Sequence, residues 1–132
     1  MDYLATIDTE LNTTADSPKS TTIKLTAGYL LGGFLYFPSG PAGKLHCVVK
    51  HGLHQILPVN NGENYALDDA VVKLHFGYMI DVPPYQLEVL TWNESVTYSH
   101  TLTICIALDP LVKQTRKRKG VNLLSRIFGG NS

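Results

Sequence analysis

Val71-Val72-Lys73-Leu74-His75-Phe76-Gly77-Tyr78-Met79-Ile80 decides the fold class. Val72, Leu74, Phe76, Tyr78 and Ile80 alternate with Val71, Lys73, His75, Gly77 and Met79. Side chains of an extended chain point alternately to opposite faces, so a period of two over ten residues reads as a half-buried strand. The period recurs outward in both directions. Upstream, Ile23 and Leu25 alternate with Thr22, Lys24 and Thr26, Phe34 and Tyr36 follow Gly32-Gly33, and Leu45, Cys47 and Val49 oppose His46, Val48 and Lys50. Downstream, Leu87 and Val89 oppose Gln86 and Glu88, and Leu102, Ile104, Ile106 and Leu108 oppose Thr101, Thr103, Cys105 and Ala107.

Turn chemistry separates these runs. Ser39-Gly40-Pro41-Ala42-Gly43, Asn60-Asn61-Gly62-Glu63-Asn64, Asp81-Val82-Pro83-Pro84 and Asn93-Glu94-Ser95 carry residues that preset or tolerate turn dihedrals. No segment before residue 110 has a helical period, which argues against a parallel α/β sheet. The expectation is an all-β fold: seven or eight antiparallel strands in a two-sheet sandwich. Residues 1–20, polar and rich in Thr, Asp and Ser, read as an N-terminal arm with at most one short strand. The sandwich is expected over residues 21–110 and a basic tail over 111–132.

The net charge of zero hides a division. All eleven acids lie in residues 1–112 with five basic residues, so the body carries −6; the six basic residues from Lys113 onward meet no acid. A body of that sign is a poor partner for phosphate, so only the tail is suited to nucleic acid. The chain has no apolar run of the ~18 residues a spanning helix needs and no basic-then-apolar leader.

The tail has its own pattern. Arg116-Lys117-Arg118-Lys119 is followed by Gly120 and then by Val121 to Phe128, closed by Gly129-Gly130. At 100° per residue Val121, Leu123, Leu124, Ile127 and Phe128 share an arc of about 160°, opposite Asn122, Ser125 and Arg126. A helix of about eight residues is marginal in water and gains its order by docking its apolar side. Three partners fit: an anionic lipid surface, nucleic acid, or a neighbouring protein subunit. The opposite charges of tail and body favour the neighbour. Arg116, Lys117, Arg118, Lys119, Val121, Leu124, Ile127 and Phe128 are the expected partner-binding residues.

Residues that carry reaction chemistry are present without a reaction pattern. His46, His51 and His54 lie within nine residues, with His75 and His100 elsewhere, but neither a His-x-His pair nor a helical i,i+4 pair occurs, which weighs against zinc or iron. The same absence argues against a metal-dependent enzyme of the cupin type. Cys47 and Cys105 sit in strand interiors, where thiols act as small apolar groups. Asp68-Asp69 reads as a turn or cap, and Asn60, Asn61, Glu63 and Asp68 as a weak calcium set. There is no Gly-x-Ser-x-Gly elbow, phosphate loop, Cys-x-x-Cys pair or dinucleotide fingerprint. Asn12-Thr13-Thr14 and Asn93-Glu94-Ser95 match the glycosylation acceptor pattern, which carries weight only in a secreted chain. No catalytic residue, metal or cofactor is assigned. Tyr29, Tyr36, Tyr65, Tyr78, Tyr85 and Tyr98, with Trp92, leave a carbohydrate- or receptor-binding module as the alternative.

Phe34-Leu35-Tyr36-Phe37-Pro38-Ser39-Gly40-Pro41-Ala42-Gly43, Gln55-Ile56-Leu57-Pro58 and Trp92-Asn93-Glu94-Ser95-Val96-Thr97-Tyr98-Ser99-His100-Thr101 give residues 22–109 a resemblance to small single jelly-roll structural proteins of virus particles. The resemblance implies a jelly-roll-like sandwich and a non-enzymatic role as a capsid, decoration or vertex component of a virion. Its partners would be copies of itself and other capsid-type subunits.

Overall fold

The computed structural model describes residues 1–110, and within them every regular element is a strand. In chain order these are β1 (Asp2–Thr9), β2 (Lys19–Lys24), β3 (Gly28–Phe37), β4 (Leu45–His51), β5 (His54–Leu57), β6 (Ala70–Ile80), β7 (Gln86–Asn93) and β8 (His100–Pro110). They form two antiparallel four-stranded sheets, ordered β1-β8-β3-β6 and β2-β7-β4-β5. The all-β, two-sheet expectation holds. The expected terminal helix over 121–128 lies outside the described residues.

Alternation places the core. Leu102, Ile104, Ile106 and Leu108 of β8 and Leu30, Leu35 and Phe37 of β3 are fully buried. They pack against Leu45, Cys47 and Val49 of β4 and Leu87 and Val89 of β7, in one cluster between the sheets. At Asn93 the chain ties the sandwich end together. Its amide nitrogen donates to the carbonyls of Thr9 and Tyr98, at 3.2 and 3.0 Å, and its Oδ1 accepts from the Ser95 amide at 3.0 Å. That is the Asn-led turn the sequence calls for, and it buries Asn93 completely.

Two expectations change. Residues 1–20 do not form an arm: β1 pairs with β8 along its whole length, from Asp2 opposite Ala107 to Thr9 opposite His100. The following loop is pinned as well, since the amides of Asn12 and Thr13 donate to the carbonyls of Ser95 and Asn93. The inward side of β1 (Tyr3, Ala5, Ile7, Thr9) is only weakly apolar, which is why its alternation is faint. The second change bears on the alternative binding-module reading, which would use Trp92 in a loop. Trp92 lies in β7, 8% exposed, with its ring parallel to that of His46 at a centroid distance of 5.1 Å.

The middle of the first sheet is irregular. β3 pairs Leu30 with Leu108 and Gly32 with Ala107, so Leu31 is an extra residue against β8. Across the β3–β6 pair, Phe76 and Gly77 together face that one residue, and Gly77 takes φ +57°. A bulge with glycine in the left-handed region fits this count. It turns Leu31 outward, 53% exposed.

Candidate interaction surface

The outward faces of the two sheets differ. On the β2-β7-β4-β5 sheet the outward residues Val48 and Trp92 are 5% and 8% exposed, although no second layer of strands covers them. Loop residues of the chain lie beside them: Ala15, Pro18, Gly62, Glu63 and Asn64 line, with Val48 and Trp92, an open depression of about 230 Å³. His46 anchors Asn64 there. Its Nδ1 lies 2.7 Å from Asn64 Oδ1 and its Nε2 lies 2.8 Å from Glu94 Oε1. Gln55 adds hydrogen bonds from Nε2 to the carbonyls of Pro58 and Glu63.

The outward face of the β1-β8-β3-β6 sheet carries no such loop among the described residues. Strand register orders its side chains into rows: Asp2–Ala107–Gly32–His75, then Leu4–Cys105–Phe34–Lys73, then Thr6–Thr103–Tyr36–Val71, then Asp8–Thr101. Leu4 is 70% exposed, Val71 63% and Tyr36 39%. Cys105 and Phe34 lie between them, half-buried. The middle of the face is therefore an apolar band from β1 to β6, with charged or polar groups at its ends. Contiguous exposed apolar surface of this kind marks interaction sites.

Beyond the Asp8 row the sheet ends in a groove of about 590 Å³, lined by Asp8, Thr9, Glu10, Thr13, Ser17, Pro18, Lys19 and Ser99. The Asp8 carboxylate accepts from the Thr101 hydroxyl at 2.7 Å, and the Lys19 ammonium donates to the Asp8 backbone carbonyl. Two carboxylates against one ammonium leave the groove with an acidic excess.

The chemistry-bearing residues are spread over the molecule. His51 Nδ1 lies 2.8 Å from the Tyr78 hydroxyl, and the His54 ring stacks on the same tyrosine at 6.3 Å. Asp68 of the proposed calcium set is turned to the β3–β4 turn, where its Oδ1 accepts from the amides of Gly40 and Ala42 at 2.9 and 2.8 Å. Those amides, Ala42 foremost, hold its carboxyl below the ordinary aspartate range. Among the described residues no group of three or more His, Cys, Asp or Glu converges as a metal site. The Cys47 thiol is fully buried, and desolvation pushes it up to about 12, out of the range of a nucleophile at neutral pH. Burial and then the charge of Asp2 also raise the Cys105 thiol.

Arg116, Lys117, Arg118, Lys119, Val121, Leu124, Ile127 and Phe128 lie outside the described residues. The residues that sequence reasoning missed are Leu4, Phe34, Tyr36 and Val71 as an exposed band. A signal exists for Leu4, in the outward series Asp2, Leu4, Thr6, Asp8 set against Tyr3, Ala5, Ile7, Thr9. No family model matches the chain, and no curated protein or solved structure matches it either.

Proposed function

We propose that this chain is a non-enzymatic assembly protein, a jelly-roll protomer of a virus particle acting as a capsid, decoration or vertex component. The strand order supports the jelly-roll reading. Eight strands in two sheets ordered β1-β8-β3-β6 and β2-β7-β4-β5 link the layers in the way two Greek keys do. That architecture serves viral capsids, lectins and cupins, and fold alone does not choose among them.

The observation that carries the choice is the apolar band of Leu4, Tyr36 and Val71, which no loop among the described residues covers, while Val48 and Trp92 on the other outward face are buried. A lectin platform built on Trp92 needs an open ring, whereas Trp92 is buried against His46. A cupin-type centre needs imidazoles that converge, whereas His46 is engaged by Asn64 and Glu94 and His51 by Tyr78. The sandwich acts as a rigid block, its sheet face and edges make symmetric contacts with other copies or with other capsid-type subunits, and the tail over 113–132 latches neighbours together. The protein's place is the virion.

Electron microscopy of the concentrated full chain tests this. The expected images are closed, symmetric particles of repeating subunits, lost when residues 113–132 are removed while the strand signal in circular dichroism stays. Particles that form unchanged without those residues contradict the latch, and a field of isolated subunits at every concentration contradicts the assembly role.

A further inference from the structure

We infer that the β1-β8-β3-β6 face of one copy is the seat for the C-terminal tail of a second copy, with Arg116–Lys119 in the Asp8/Glu10 groove and Val121–Phe128 on the band of Leu4, Cys105, Phe34, Tyr36 and Val71. This rests on the assembly reading above and adds the acceptor surface, the direction of the tail and the exclusion of the chain's own tail.

Three observations carry it. The first is matched chemistry. The tail offers four consecutive cations followed by an apolar stripe, and the face offers an acidic groove followed by an apolar band. Lys19 neutralises part of the groove, and the remaining excess is acidic, as is the −6 body around it. The second is spacing. From the Asp8 row to the Leu4 row is four residues of β1, or about 13 Å. From the middle of Arg116–Lys119 to the middle of Val121–Phe128 is seven residues, about 10 Å if helical and longer through an extended Gly120.

The third is order. β8 runs from Thr101, opposite Asp8, to Pro110 at the far end of the sheet. Those nine residues span about 30 Å. A tail folding back over its own sheet passes the Asp2 row and reaches the apolar band before the groove, so its cations fall near Leu4 and Phe34 and its apolar stripe on the acidic groove. Its reach is short as well: Arg116, six residues beyond Pro110, extends at most about 20 Å, and only Lys119, nine residues beyond, covers the ~30 Å to the groove when fully extended. A tail entering from the Asp8 end has both the order and the reach, and another copy supplies one.

Cys105 lies in the band and makes this testable on the full chain. One form carries Cys105→Ser with Leu124→Cys, and it is mixed with wild-type chain under mild oxidation. The expected product is a disulfide-linked pair of copies, joined through the introduced thiol of one and Cys105 of the other. Adding Asp8→Lys and Glu10→Lys to the wild-type partner should cut its yield at least tenfold. In parallel, iodoacetamide should modify Cys105 at least tenfold more slowly in the assembled full chain than in the chain lacking 113–132, with buried Cys47 silent in both. Chains that assemble by light scattering without linking, or with Cys105 as reactive as in the truncated form, overturn the acceptor surface and leave the assembly role standing. A bridge formed only within single copies when Leu124→Cys is placed beside native Cys105, or protection of Cys105 that requires anionic vesicles, also overturns it. A chain that stays single at every concentration overturns the assembly role itself.

Discussion

Replacing Gly33 with alanine tests the packing at the centre of the exposed sheet. Gly33 is flanked on both sides, by Leu74 of β6 and Ile106 of β8, and takes φ +149°. A β-carbon there would overlap the Cys105 carbonyl oxygen, stand 2.8 Å from its carbonyl carbon and lie 3.1 Å from Ile106 Cα. All three atoms are backbone in a paired strand, so relief requires sliding β3 away from β8. The backbone conformation, held essentially by glycine alone, costs about 1–3 kcal/mol for another residue. Forcing an extra carbon into a packed layer adds about 1–3 kcal/mol. The sum, about 2–6 kcal/mol, is a large part of the 5–15 kcal/mol typical of a whole domain. Urea unfolding followed by the fluorescence of Trp92, the single tryptophan, reads it directly. Gly62→Ala is the control, because φ +90° strains it equally in kind while its β-carbon meets nothing within 4 Å. The clash accounts for the difference between the two variants. If Gly33→Ala loses no more than Gly62→Ala, the close approach of β3 to β8 is refuted.

Three further outcomes follow from named contacts. Thr9 and Thr91 share a fully buried hydroxyl pair at 2.8 Å that joins the two sheets; Thr9→Val should cost about 1–3 kcal/mol by stranding the partner hydroxyl, and the double change to valine should cost clearly less than the sum of the single ones. In the native chain lacking residues 113–132, at pH 8, iodoacetamide should modify Cys105 alone, and in urea both thiols, counted by intact mass; early modification of Cys47 contradicts its burial. Asp68 has its pKa depressed in the fold, so its contribution is present above the ordinary value of 3.8 and is lost as pH falls through the lower folded value. Asp68→Ala should therefore flatten the acid-side fall in the urea midpoint below about pH 4, and an unchanged acid limb contradicts the role of the Ala42 and Gly40 amides.

What the sequence makes legible depends on how strongly a strand is one-sided. β8 declares itself through Leu102, Ile104, Ile106 and Leu108, because a central strand needs four apolar side chains to face the opposite sheet. β6 does the same, and its bulge keeps Phe76 and Tyr78 half-buried while both neighbours, His75 and Gly77, stay exposed. β1 is hard to read because an edge strand needs less apolar surface: Tyr3 and Ala5 suffice beside Ile7. β5 is four residues long, buries the polar Gln55 and is joined to β4 by the two-residue turn Gly52-Leu53, so periodicity has no length over which to show. The surface was harder still. Period two separates the two sides of a strand but does not say which outward side the loops will cover. Val48 and Trp92 are buried beside loops distant in sequence, whereas Leu4, Tyr36 and Val71 come onto one face only through the register of three strand pairs.

The mass of the full chain in solution, by sedimentation velocity from low to high micromolar concentration, tests the assembly claim most directly. The account predicts species at whole multiples of 14.5 kDa that grow with concentration and shrink as salt screens the tail's cations. A single 14.5 kDa species throughout, indifferent to salt, contradicts it.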